Sequence, residues 1–248
     1  MTPPLFLLDP LPADDSFVLA GDEGRHAARV QRLGVGEYLR VADGRGTVLD
    51  CLVAEVRADA LRLTVLARRS EPEPDPRLVV VQALPKGDRG ELAVEMLTEL
   101  GVDEVVPWAA GRSISQWRDA RGAKTLDRWR RTAREAAKQS RRPRVPVVAE
   151  LASTAQVAGR LGAATGLVLH EAAGAPLSGV ALPDAGDVVI VVGPEGGISD
   201  DELAAFAAAG ARTVRMGEPV LRTSTAGVAA LAVLSVRLGR WSLDGRSR

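Results

Sequence analysis

Three short segments of the chain carry residue types from which a site can be built. The first is Gly193-Pro194-Glu195-Gly196-Gly197, directly after the apolar run 188–192. Glycine has no Cβ, so main chain there can approach a ligand closely and turn its amides outward. Ser199 with Glu202 three residues on spells a capping box that opens a helix. The positive end of that helix then faces the same space. A plain strand-to-helix turn uses the same residues. The loop has neither dinucleotide-binding nor P-loop spacing, and without Gly-Lys-Ser or Gly-Lys-Thr, hydrolysis of nucleoside triphosphates has little support. The second segment runs from Met216 through Gly217, Glu218, Pro219, Val220, Leu221, Arg222, Thr223, Ser224 and Thr225 to Ala226. Arg222 offers a planar fork for a phosphate or a base edge. Ser224 or Thr225 can equally cap the last helix. The third is Leu169-His170-Glu171, at the end of an expected strand 167–170, where His170 reads as a base or as an ordinary structural histidine.

A charge asymmetry points to the kind of ligand. Between Arg112 and Pro146 lie 12 Lys or Arg but only 3 acids (Asp119, Asp127 and Glu135), in a chain of zero net charge. Runs of one sign are commonly solvated helix faces. Here the acids that would pair with the bases are mostly missing, which favours a polyanion partner. On an early helix, His26, Arg29 and Arg32 recur at i, i+3 and i+6, near one face. That face is either an RNA contact or plain surface.

These segments need elements to position them. The first 70 residues read as short strands at 38–41, 47–56 and 61–66, with one helix capped by Asp22. Short strands with tight turns suggest a small barrel. Prolines 72, 74 and 76 then exclude a helix. They set a linker, 71–77, between a domain 1–70 and a domain 78–248. Beyond it, apolar runs at 78–83, Glu104–Trp108, 167–170, 188–192 and 213–216 alternate with helices at 90–100, 124–140, from Ser199 to Gly210, and 225–238. That alternation predicts a mainly parallel α/β sheet, and ligands bind such sheets at loops leaving the carboxyl ends of strands. In the long helix, Leu126, Trp129, Ala133 and Ala136 form one stripe and Arg131, Arg134 and Lys138 another.

Composition narrows the class. Apolar residues make up 46% and charged residues 26%, as in an ordinary globular chain. No apolar run reaches the ~18 residues of a membrane span, and the N-terminus has no basic residue ahead of its apolar patch, so it does not read as a secretory signal. Cys51 is the single cysteine. It excludes an internal disulfide and a cysteine-built zinc site, and fits the reducing cytoplasm. The two histidines are far apart, so no metal site is expected.

The sequence resembles the RsmE family of ribosomal RNA methyltransferases, within the SPOUT superfamily. The likeness rests on Val191-Val192-Gly193-Pro194-Glu195-Gly196-Gly197 with Glu202, on Leu221-Arg222-Thr223-Ser224-Thr225-Ala226, on Glu135 to Arg142 with Pro146, and on Thr98-Glu99-Leu100-Gly101-Val102 before Pro107. It implies a C-terminal SPOUT-type domain with a trefoil knot, a small N-terminal PUA-like β-barrel, and a homodimer. It implies S-adenosylmethionine as cofactor and 16S ribosomal RNA within the small subunit as partner. The expected product is 3-methyluridine at the position conventionally numbered 1498. Carried over, the cofactor pocket takes Leu169, His170, Gly193, Glu195, Gly196, Gly197, Met216, Leu221, Arg222 and Ala226. For methyl transfer to uracil N3, a positioned guanidinium is needed to stabilise the developing anion, which is expected of Arg222. Glu195 or His170 is a candidate acceptor for the N3 proton, with bulk water as the alternative. His26, Arg29, Arg32, Arg112, Arg131, Arg134, Lys138, Arg141 and Arg142 meet the RNA. Two positions depart from the family pattern: Ser224 stands where glutamate is usual, and Glu218-Pro219 follow Gly217 where a basic residue is usual. A related enzyme acting on ribose 2′-hydroxyls or transfer RNA, and a non-catalytic ribosome-assembly factor, remain open readings.

Overall fold

The structure, a computed structural model, describes residues 3–242. The outermost ends of the expected domains, 1–2 and 243–248, lie outside the described residues. The chain forms two compact units: residues 1–73 with 134–145, and residues 74–133 with 146–248.

In the first unit, β1 (Leu5–Leu7), β2 (Ser16–Leu19), β3 (Tyr38–Ala42), β4 (Thr47–Arg57) and β5 (Ala60–Ser70) form one sheet in the order β1-β3-β4-β5-β2. β1 runs parallel to β3 and the other pairs are antiparallel. Leu49, Cys51 and Val53 on β4 share a buried cluster with Leu61 and Leu63 on β5, the period-two pattern of a sheet with one face covered. Burial, helped by the neighbouring Asp50 carboxylate, pushes the Cys51 thiol up to about 12. It is therefore no nucleophile at neutral pH.

The early helix departs from expectation. α1 (Gly21–Arg25) is capped by Ala20 with no side-chain bond, and Asp22 lies inside its first turn. The helix then widens into a π-helical turn, His26–Val30. A wider turn breaks the i, i+3, i+6 register, so His26, Arg29 and Arg32 do not share a helical face. Arg32 follows the turn with φ at 54°.

In the second unit, six strands lie parallel: β6 (Arg77–Ala83), β7 (Glu104–Trp108), β8 (Val147–Val148), β9 (Thr165–Leu169), β10 (Asp187–Val192) and β11 (Arg212–Val214). Their order is β11-β9-β10-β6-β7-β8. β6, β7 and β10 are buried on both faces, which is why they read as continuous apolar runs. One face packs against α4 (Thr154–Gly162) and α5 (Asp200–Ala208): Val157, Leu161 and Phe206 join Val79, Val81 and Trp108 there. Trp108 and Phe206 meet edge to face, 5.3 Å between centroids. The other face packs against α2 (Arg89–Glu99) and α6 (Thr223–Arg237). Gly227 on α6 lies close to Val192, Val80 and Leu97. α4 and the strands β1, β2 and β8 are additions to the elements expected from sequence.

The long helix α3 (Asp119–Gln139) starts five residues earlier than its periodicity suggested. Leu126 and Trp129 are buried, and Trp117 meets Trp129 edge to face at 4.9 Å. Gly90 presses onto the Trp129 ring so closely that a Cβ there would fall 2.6 Å from Cζ2. Gly90→Ala is therefore expected to destabilise the protein by about 1–3 kcal/mol through overpacking. Urea unfolding checks this; an unchanged midpoint would show that the ring has room to move.

Candidate active site

β9, β10 and β11 are neighbours, and the loops leaving their carboxyl ends open onto one cleft of about 580 Å³. Its lining includes Leu169 at the end of β9 and His170 after it, Gly193, Glu195, Gly196 and Gly197 after β10, Met216, Leu221 and Arg222 after β11, and Ala226 in the first turn of the helix that follows. All the residues expected in a cofactor pocket thus surround a single space. Arg89, the first residue of α2, and Arg112 from the β7–α3 connection line it as well.

The β10 loop has little freedom. A Cβ on Gly193 would lie 2.7 Å from Ile198 Cγ1, and one on Gly196 would lie 3.1 Å from the Arg112 carbonyl oxygen. Gly197 adopts φ of 74°, a left-handed conformation that favours glycine. Its N–H closes a turn onto the Pro194 carbonyl at 2.9 Å. Ser199 then caps α5, with the expected capping box to Glu202 present in full.

Glu202 does more than cap. Its Oε2 accepts from the Ser199 N–H and hydroxyl, both at 3.0 Å. Its Oε1 accepts from the Gly111 N–H at 2.7 Å and the Thr154 hydroxyl at 3.1 Å. One buried carboxylate thus joins the β10 loop to the β7–α3 connection and the start of α4. Burial alone would raise this carboxyl, but the hydrogen bonds from Gly111, Ser199 and Thr154 outweigh it and hold it below its ordinary value. Sequence showed the local half of this arrangement. The Gly111 and Thr154 contacts span 91 and 48 residues and leave no local signal.

The β11 segment is fixed from below. The Thr223 hydroxyl donates to the Gly193 carbonyl at 3.0 Å. The buried Gln82 amide donates to the Ala83 carbonyl at 3.2 Å and the Thr223 carbonyl at 3.4 Å. The α6 cap is Arg222, without a side-chain bond. Ser224 and Thr225 lie inside the first turn of α6, so neither is the cap. Val220 is 79% exposed at the cleft's edge.

The polar candidates differ in availability. The Arg222 guanidinium makes no hydrogen bond or ion pair among the described residues, and it lines the cleft. Glu195 is engaged: its Oε1 accepts from the Lys86 N–H at 3.2 Å and lies 3.9 Å from Arg89 Nη1. His170 Nδ1 accepts from the Ala172 N–H at 3.2 Å, an arrangement of the neutral ring that leaves its proton on Nε2. Arg112 Nη1 donates to the Gly196 carbonyl at 3.4 Å. Among the described residues no cluster of three or more His, Cys, Asp or Glu could hold a metal ion, and no helix is long and apolar enough to cross a membrane.

The expected RNA-contacting residues scatter. His26 packs edge-on against Phe6. Arg29 pairs with Asp59. Arg32, Arg131 and Arg141 are exposed and Arg142 is half-buried. Arg134 donates to the Leu7 carbonyl at 3.0 Å. Lys138 is 8% exposed, with Glu23 at 2.8 Å and Glu135 at 3.2 Å. A buried ammonium held by two carboxylates is a structural cation, which corrects its expected place on a phosphate-gripping surface.

The family described as an RNA methyltransferase domain matches residues 71–235. The chain is 47% identical to a ribosomal RNA small subunit methyltransferase E of Mycobacterium tuberculosis, over 96% of this chain and 93% of that one. A Bacillus subtilis protein of the same name is 29% identical over 89% and 90%. In three dimensions the chain is similar to a ribosomal RNA small subunit methyltransferase E of Neisseria gonorrhoeae bound to S-adenosyl methionine. The TM-score is 0.83 at 26% identity, covering 95% of this chain and 98% of that one.

The Glu202 bonds give a pH prediction. A carboxyl whose folded pKa is depressed adds stability above its unfolded pKa, about 4.3, and loses it as pH falls through the folded value. Glu202→Gln should cost about 1–3 kcal/mol at pH 7, because its amide would face donors. The gap to the parent should close below pH ~4. Denaturant melts at both pH values read this; a gap independent of pH contradicts it.

Proposed function

Since the chain belongs to the ribosomal RNA small subunit methyltransferase E family, we propose that it transfers a methyl group from S-adenosylmethionine to N3 of one uracil in 16S ribosomal RNA, at the position expected from the resemblance. The observation that carries this reading is the convergence of the three β9, β10 and β11 loops on one cleft, with an uncommitted Arg222 at its edge.

The cleft suits such a cofactor. Its volume lies within the ~300–1,000 Å³ of small-molecule sites. Leu169, Val192, Ile198, Val214, Met216, Leu221 and Ala226 offer apolar contact, and the 193–197 main chain offers amides and carbonyls. When bound, S-adenosylmethionine supplies an electrophilic methyl on a positively charged sulfur. The residues do the rest. The apolar wall and main chain bind and orient the adenosine. The uracil must leave its stack to reach the cleft. N3 loses its proton as it becomes nucleophilic, and the ring acquires negative charge spread over its carbonyl oxygens. The Arg222 guanidinium is placed to stabilise that charge. Glu195 is already engaged, accepting a hydrogen bond from the Lys86 N–H beside the Arg89 guanidinium, so the N3 proton passes to solvent.

The reading extends to the remainder of the molecule. The first unit serves as a PUA-like RNA-binding barrel. The second carries the SPOUT-type trefoil knot, and the enzyme works in the cytoplasm. It acts as a homodimer. α6, TSTAGVAALAVLSVR, has no polar stripe, and a helix apolar all round is one buried all round. Yet Val236 is 62% exposed beside half-buried Ala229, Ala232 and Val233. A second copy of the chain covers this face. Val236→Glu should shift the protein from dimer to monomer in sedimentation velocity; a dimer that survives would remove this support.

The reaction is tested by incubating the protein with methyl-labelled S-adenosylmethionine and small ribosomal subunits, then mapping nucleosides by mass. Label in 3-methyluridine is expected; label on a ribose 2′-oxygen, or none, overturns the assignment. Arg222→Ala should lower kcat roughly 10²–10³-fold, as for loss of a donor to a developing oxyanion. Its calorimetric affinity for S-adenosylmethionine should be retained. Full turnover would take Arg222 out of the chemistry.

A further inference from the structure

The basic run divides in two once its side chains are followed. Arg134 and Lys138 are bound within the first unit. Arg130 is tied to Glu150 at 2.7 Å. Facing outward on the second unit are Arg121, Lys124, Arg128 and Arg131, which border a shallow crevice of about 600 Å³. Steps of three, four and three residues keep them on one face of α3, over ~15 Å of helix.

Internal neutralisation of this stripe is incomplete. Arg128 pairs with Glu91 at 3.1 Å. Arg131 Nε reaches the Asp127 carbonyl at 3.4 Å, while the Asp127 carboxylate lies 3.8 Å from Arg130. Among the described residues the side chains of Arg121 and Lys124 make no hydrogen bond or ion pair. Like charges at these spacings repel, so an isolated helix gains nothing from the arrangement. The mount beneath it is fixed, since Leu126 and Trp129 are buried and Gly90 holds the Trp129 ring.

We propose that this stripe binds consecutive phosphates of a single RNA strand outside the cleft. The inference rests on the function proposed above and adds the surface that holds the substrate's backbone. Guanidinium groups match phosphate oxygens bidentately, and such contacts position a nucleic acid without reading its sequence. An anionic membrane is a poorer occupant. A helix lying on lipid needs an open apolar face beside its basic one, and the apolar face of α3 is buried.

The test uses the full-length protein carrying Arg121→Gln and Lys124→Gln together, both at exposed positions. The affinity for a fluorescent single-stranded fragment of 16S RNA is measured across a salt series. Removing one cation that neutralises a phosphate of a single strand should reduce the slope of log affinity against log salt by ~0.7, so the pair should reduce it by ~1.4. Calorimetric affinity for S-adenosylmethionine should match the parent. An unchanged slope overturns the proposal. So does a polyglutamate peptide that displaces the RNA at equal charge, which would assign the stripe to an acidic protein. If the parent shows the steep slope and the variant the shallow one, yet neither methylates uridine, the stripe stands and the proposed reaction falls.

Discussion

Burying an ionised carboxylate is affordable only when every lone pair that points inward meets a donor. At Glu202 that requirement recruits Gly111, Thr154 and Ser199 from three separate stretches of chain. Arg112 follows Gly111 directly, and its main chain and Cβ lie against Gly196. The position of one cleft wall is therefore a consequence of where this charge sits. The opposite wall hangs on a second, neutral set of bonds. Thr223 reaches the Gly193 carbonyl, and Gln82 reaches the Thr223 carbonyl from the floor of the sheet. Between them these bonds fix loops that carry few apolar anchors of their own.

Pre-fixed main chain is what a small, partly apolar ligand requires, because the cost of ordering the loops is met during folding rather than at binding. The glycines at 193 and 196 have steric causes as well: a Cβ at 193 would collide with Ile198, and one at 196 would press tightly on Arg112. The same tightness recurs where Gly90 meets Trp129, which seats the helix that carries the exposed cations.

Much of this was legible in the sequence, for identifiable reasons. β6, β7 and β10 are covered on both faces, so unbroken apolar runs betrayed them, and Glu104–Trp108 falls on its expected bounds. The Ser199 box is local and was read correctly. Strands of two to four residues such as β1, β2 and β8 are too short for a period to emerge. The π-helical turn at His26 obeys a spacing the helical template does not contain. Side chains of α3 misled because the helix spans the division between the two units, with residues from 134 onward in the first. A stripe of Arg131, Arg134 and Lys138 therefore has one exposed member, one half-buried and one buried. Long-range partners such as Gly111 for Glu202, or Thr223 for Gln82, have no signature at all in a single sequence.

The central claim is that the 193–197 and 221–223 main chain forms a preset cofactor cradle. Backbone amide NMR during titration with S-adenosylhomocysteine tests it at the atoms concerned. The account predicts saturable shifts at Gly193, Gly196, Gly197 and Thr223, with little change at Gly111. Shifts confined to other parts of the protein, with those amides unmoved at saturation, would contradict it.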